Sequence, residues 1–133
     1  MGNHRLERFR QEMAGQGLAA ALLLKPASQH YLTRFKAVIY SRPIMTLITP
    51  YQTSIIVPGL EETHAREEAG VDEICVYYEH PERAGEAGEA VKILGRLVRR
   101  LGPSPLIGLE YGFAPLSLAG TLEGWGAATA DLD

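Results

Sequence analysis

The sequence holds a single cysteine, Cys75, and therefore no internal disulfide. That fits a reducing compartment, and a cytoplasmic location is expected. The thiol lies in Glu73-Ile74-Cys75-Val76-Tyr77, where a buried strand thiol is expected rather than a nucleophile. Long apolar runs are also lacking. The longest, Leu18–Leu24, falls far short of the roughly 18 residues a membrane span needs, so no membrane partner is expected. Met1-Gly2-Asn3-His4-Arg5 carries no apolar signal-peptide core, and Leu6 stands where N-myristoylation of Gly2 wants Ser or Thr. Nor does one sign of charge dominate. The formal net charge of −3 offers nucleic acid little general attraction, and Arg96, Arg99 and Arg100 read as the wet face of a helix.

Catalytic signatures are equally scarce. Aspartate occurs only at Asp72, Asp131 and Asp133, and the histidines His4, His30, His64 and His80 are scattered without zinc-site spacing. Glu61-Glu62-Thr63-His64 reads as a surface helix face. Gly15-Gln16-Gly17-Leu18-Ala19-Ala20 has the letters of a dinucleotide fingerprint, but it ends a helix and opens a strand, the reverse of the order needed. There is no Walker loop and no nucleophile elbow. Asp72, Glu110 and Asp131 are the one carboxylate set that a small nuclease centre would use, although nothing in their spacing requires them to converge. No catalytic, cofactor-binding or metal-ligating residue is assigned.

What the sequence does contain is a well-punctuated series of apolar segments. With 133 residues, 46% hydrophobic and 22% charged, residues 1–133 read as a single globular domain. Its organising stretch is Ile44–Ala65. Two apolar runs, Ile44–Thr49 and Thr53–Val57, flank Pro50-Tyr51-Gln52 as an antiparallel hairpin. Pro58-Gly59 stops the second strand, and a helix follows over Glu61–Ala69, its acidic residues at the positive end of the helix dipole. Upstream, His4–Gln16 places Leu6, Phe9 and Met13 on one helical face, and Gly17 suits a left-handed cap leading into the strand Leu18–Leu24. Lys25-Pro26-Ala27 breaks that strand, with Ser28 as the expected cap of one helical turn through Leu32.

Downstream, Gly70 closes the helix and Asp72–Tyr77 is a strand. Glu79–Gly85 is a polar loop. Glu86–Leu101 is a strongly amphipathic helix in which Gly95 is expected to permit close approach to the sheet. Leu106–Glu110 is a strand, Pro115 opens a helix bearing Leu116, Leu118, Ala119 and Leu122, and Ala127–Leu132 is a last strand. The sum is an α/β layered domain with about six strands, mixed because of the hairpin. The irregular stretch Thr33–Pro43 carries Arg34, Lys36 and Arg42 beside Phe35 and Tyr40. It reads either as a contact loop or as a connection whose aromatics plug the core edge.

The ordered pieces Arg5, Arg8, Met13, Gly17-Leu18, Ala20–Leu24, Tyr31-Leu32-Thr33, Ile56-Val57-Pro58, Leu60-Glu61, Ala65 and Ile107-Gly108-Leu109-Glu110 together resemble the N-terminal domain of the creatinase/prolidase family. These are the pita-bread metallopeptidases that include Xaa-Pro aminopeptidase and Xaa-Pro dipeptidase. The resemblance implies a three-layer α/β/α fold of ribonuclease H-like type. It also implies that the catalytic C-terminal domain, with two divalent metals (Mn, Co or Zn) on Asp, Asp, His, Glu and Glu ligands, lies outside this chain. The chain itself is then expected to hold no cofactor. Its role would be a non-catalytic one, serving subunit contacts and partial covering of the active site in a homodimer that acts on a peptide or small amide. Arg34, Tyr40 and Arg42 would mark the substrate-entrance or subunit-contact loop. Tyr31-Leu32-Thr33 resembles the family's Y-L-T-G-F, but Arg34 stands where the Gly is usual. The alternative is a stand-alone binding or regulatory α/β module with no catalytic partner domain.

Overall fold

The computed structural model describes residues 4–36, 42–78 and 88–132. Helix α1 (His4–Gly15) turns Leu6 and Met13 inward. Gly17, at φ +71°, then reverses the chain, and the Leu18 amide bonds back to the Met13 carbonyl at 3.0 Å. Strand β1 (Ala20–Leu23) is wholly buried but shorter than the apolar run, because Leu18 fills the core before the ladder begins. Helix α2 (Pro26–Thr33) is a correction to the single expected turn. Pro26 opens it, since its preset φ suits the first helical position and its missing N–H has no partner to lose there. Ser28 lies inside this helix and does not cap it.

The hairpin forms as expected. Strands β2 (Met45–Ile48) and β3 (Thr53–Pro58) pair antiparallel from Met45↔Ile56 to Ile48↔Thr53. Thr49 holds the turn, its hydroxyl oxygen accepting from the Tyr51 and Gln52 amides. Beyond it the expected helix divides into a 3-10 turn (Gly59–Glu61) and helix α3 (Glu62–Glu68). Strand β4 (Glu73–Tyr77), helix α4 (Gly88–Arg99), strand β5 (Leu106–Leu109), helix α5 (Leu116–Gly124) and strand β6 (Ala128–Asp131) complete the order. The polar loop Glu79–Gly85 and the expected helix start at Glu86 lie outside the described residues.

The sheet runs β4-β3-β2-β1-β5-β6. Strand β2 is antiparallel to both neighbours, and every other pairing is parallel. Alternation along the strands sorts the layers. Ala20, Leu22, Met45, Leu47, Ile56, Ile107 and Leu109 face α4 and α5, where Leu94, Leu97, Val98, Leu118 and Leu122 join one continuous core. On the opposite face Ala21, Leu23 and Ile48 meet Leu6, Met13 and Leu32 of α1 and α2. Ile55 and Val57 meet Ala65 of α3 together with Phe35. Two expectations change here. Gly95 does not admit the sheet: a Cβ there would stand 3.3 Å from the Trp125 ring, so the glycine makes room for the residue that ends α5. Leu116 is 92% exposed, because α5 turns its Leu118 and Leu122 inward and leaves Leu116 on the outer side.

Candidate functional site

Five of the six strands direct their carboxyl ends to one edge of the sheet, and β2 begins there. In α/β sheets ligands characteristically meet this edge. The segment after α2 returns to it at Pro43-Ile44, so the loop singled out in the sequence ends at this edge. Buried polar groups pin both ends of that loop.

At its start, the Thr33 hydroxyl donates to the Gln29 carbonyl at 2.6 Å and accepts from the Phe35 amide at 3.2 Å. The Thr33 carbonyl accepts from the Gly70 amide, beyond α3, at 2.6 Å. Phe35, 1% exposed, plugs the core between α3 and β3. At its far end the Tyr77 hydroxyl donates to the Pro43 carbonyl at 2.6 Å. The Gln29 amide donates to the carbonyls of Leu24 and Ile44, both at 3.0 Å, while its oxygen accepts from the Thr46 hydroxyl at 2.7 Å. One glutamine thereby ties α2, β1 and β2 together.

Glu110, just beyond β5, supplies the other tie. Its Oε1 accepts from the Leu24 and Lys25 amides at 2.8 and 2.9 Å, and its Oε2 accepts from the Ser28 hydroxyl at 2.6 Å. A carboxylate at the N-terminus of α2 also satisfies the dipole of that helix. Glu110 is thus a structural buttress.

Of the three loop residues named from the sequence, two can be placed. Arg34 is exposed and left-handed, φ 68°, with its amide bonded to the His30 carbonyl at 2.9 Å as the cap of α2. It adopts the conformation that glycine takes without steric cost. Arg42 is half-buried and lines two adjoining clefts. One, of about 170 Å³, is walled by Leu24, Pro26, Phe35, Ile44 and Phe113. The other, of about 310 Å³, is walled by Pro58, Gly59, Leu60 and Tyr78. Tyr40 lies outside the described residues. The core-plug reading of the loop holds for Phe35, while Arg42 adds a cation to clefts that are mainly apolar, with Gln29 also lining the first.

Glu61-Glu62-Thr63-His64 is not the wet helix face expected. Glu61 is 2% exposed. His64 Nδ1 lies 3.0 Å from Glu61 Oε2, and its Nε2 lies 2.7 Å from Glu68 Oε2. The imidazole also packs on Phe35, with ring centroids 4.8 Å apart. The bond to Glu61, then that to Glu68, raises the His64 pKa above its ordinary value. Glu61 turns inward because the 3-10 turn rotates it off the helical face that the spacing alone assigns.

The carboxylates considered for a nuclease centre do not converge. Asp72 precedes β4 and accepts from the Thr53 amide, whereas Asp131 ends β6 at the opposite edge of the sheet. Both Glu110 oxygens are engaged as above. Among the described residues no group of three His, Cys, Asp or Glu side chains is placed to hold a metal, so the donors present do not fit a metal centre. Cys75 is half-buried on β4, and burial pushes its thiol up, away from the reactive thiolate. Sequence reasoning passed over Gln29 and Phe113. A glutamine three positions into a helix that starts at Pro26 carries no signal of burial by itself.

The family model for the creatinase/prolidase N-terminal domain matches residues 5–129. Among curated proteins nothing matches. Solved structures share the fold. The N-terminal domain of Xaa-Pro dipeptidase from Lactobacillus brevis superposes with a TM-score of 0.75 at 21% identity, over 95% of this chain and 90% of that one. The N-terminal domain of cytoplasmic peptidase PepQ from Mycobacterium tuberculosis H37Rv gives 0.75 at 20% identity, over 99% and 95%. X-Pro aminopeptidase from Thermotoga maritima MSB8 gives 0.75 at 20% identity, over 97% of this chain but 33% of that one. At such identities the structural likeness speaks for the fold, and the family model speaks for descent. The ordered motifs, the six-strand mixed sheet and a model match spanning nearly every residue lead to one conclusion: the chain belongs to the creatinase/prolidase N-terminal domain family.

Proposed function

We propose that the chain is the non-catalytic N-terminal domain of a metal-dependent Xaa-Pro peptidase-like hydrolase, serving subunit contacts and partly covering the active site. The observation that carries this reading is the pinning of the segment's far end, Pro43-Ile44, at the carboxyl edge of the sheet, with Arg42 beside it lining mainly apolar clefts. The match to one-third of the Thermotoga aminopeptidase supports it, as does the lack of a convergent metal-ligand set among the described residues. In this reading two divalent ions (Mn, Co or Zn) belong to a C-terminal domain, the assembly is a homodimer in the cytoplasm, and the substrate is a peptide or small amide. Arg42, with Arg34 and Tyr40 on the same loop, orients a substrate carboxylate and narrows the entrance.

The test has two arms. The 133-residue chain alone, given manganese or cobalt, is expected to show no hydrolysis of X-Pro dipeptides; turnover that a chelator abolishes overturns the proposal. In the native product, Arg42→Ala is expected to raise KM for an X-Pro dipeptide by about 10-fold, the worth of one charge-assisted hydrogen bond. The second reading, a stand-alone binding or regulatory module, rests on three core clusters that close within the chain itself. A native mass of 14.5 kDa favours it.

A further inference from the structure

The His64 cluster has no part in the proposed scaffold role, yet it touches the loop that role depends on. An ionised carboxylate only accepts hydrogen bonds, and a neutral imidazole has one N–H to give. With both carboxylates ionised, contacts of 3.0 Å to Glu61 and 2.7 Å to Glu68 are satisfied together only when both ring nitrogens donate, which is the imidazolium. Glu61 and Glu68 are the charged groups acting on the ring. From the strands packed against α3, Ile55, Val57, Ile74 and Val76 turn apolar side chains toward it, and the neighbouring Glu62 pairs with Arg66 at 2.8 Å and accepts from the Tyr78 hydroxyl. The ring packs on Phe35 with the two planes tilted by 48°, and two residues before Phe35 the Thr33 carbonyl holds the Gly70 amide. Helix α3 is thus joined to the start of the loop at both of its ends.

We propose that His64 is a proton-operated latch: its imidazolium form holds the Thr33–Phe35 end of the loop against α3, and loss of the proton slackens that attachment. On deprotonation the ring keeps one N–H, so one nitrogen turns a lone pair toward a carboxylate. Glu68 is half-exposed and can swing into water, whereas Glu61 is enclosed and cannot. The raised His64 pKa fixes the sign. The contribution is complete below the unfolded value near 6.5 and is lost as pH rises through the higher folded value.

The experiment is an NMR titration of the chain, following the His64 ring, the Phe35 ring and exchange of the Gly70 amide. The His64 midpoint is expected above 6.5. The Phe35 resonances should move with that midpoint, and Gly70 protection should fall about 2–10-fold across it, the scale of one net hydrogen bond. Glu68→Gln, an exposed change that leaves the core intact, should lower the midpoint and carry the Phe35 and Gly70 transitions with it. Phe35 and Gly70 signals that stay flat through the His64 titration overturn the latch, as does a His64 midpoint at or below 6.5. No substrate or catalytic half enters the measurement, so its failure leaves the scaffold reading untouched, and failure of that reading leaves the latch.

Discussion

The two faces of the sheet are built differently. Against α4 and α5 the strands bury one continuous apolar core, running from Met45 and Ile56 through Leu94 and Leu97 to Leu122. Against α1, α2 and α3 the apolar contacts fall into two smaller clusters, and the space between them is spanned by buried polar groups: Gln29, Thr33, Thr46, Thr53 and Glu61. Apolar burial is non-directional and supplies most of the folding free energy. Hydrogen bonds are directional, so the polar face is the one able to hold a loop in one place. Stability and positioning thus lie on opposite sides of one sheet, and Glu110 at its edge belongs with the second.

Substitutions can break that division. Leu94→Ala on the apolar face should cost most, about 2–5 kcal/mol for a large-to-small change in a closed core, read as a lower urea midpoint with unchanged slope. Glu110→Ala should cost about 2–3 kcal/mol, since it strands the Leu24 and Lys25 amides and the Ser28 hydroxyl. Unlike Leu94→Ala, it should speed amide exchange at Leu24 and Lys25 ahead of global unfolding. Equal acceleration across the whole sheet would show that the two faces do not divide the work.

Smaller changes sharpen the comparison. Arg34→Gly should stabilise by about 0.5–1 kcal/mol, because glycine adopts φ 68° without the Cβ clash, less its extra unfolded-state entropy. A loss of stability on this change would mean that the Arg34 side chain makes a contact worth more than the strain. Least affected should be Arg100→Ala, which removes an exposed pair with Glu73 at 2.9 Å. That guanidinium, more than the Ser54 hydroxyl, holds the Glu73 carboxyl below its ordinary range. Any difference in midpoint from the parent should vanish at high salt.

The elements themselves were legible wherever a period or a breaker carried them. The hairpin around Pro50-Tyr51-Gln52, the left-handed Gly17 and the inward stripe of α4 all stand where the residues placed them. The failures share a cause. Ser28, Glu61 and Glu110 are polar residues whose partners lie far along the chain or are reached only through a turn of the backbone, and local pattern treats such residues as caps, wet faces or stray acids. Gly95 failed for the same reason, since the neighbour that needs its missing side chain is Trp125.

Apolar spacing and turn residues alone determined that this chain makes six strands with helices on both faces, because burial requires only that the right residues share a side. The family resemblance was likewise readable from motif order. Which acids turn inward, which glutamine joins three elements, and that Arg42 stands between two clefts were decided only when distant segments met. Hydrogen bonds act over about 3 Å and in fixed directions, so they have no counterpart in spacing along the chain.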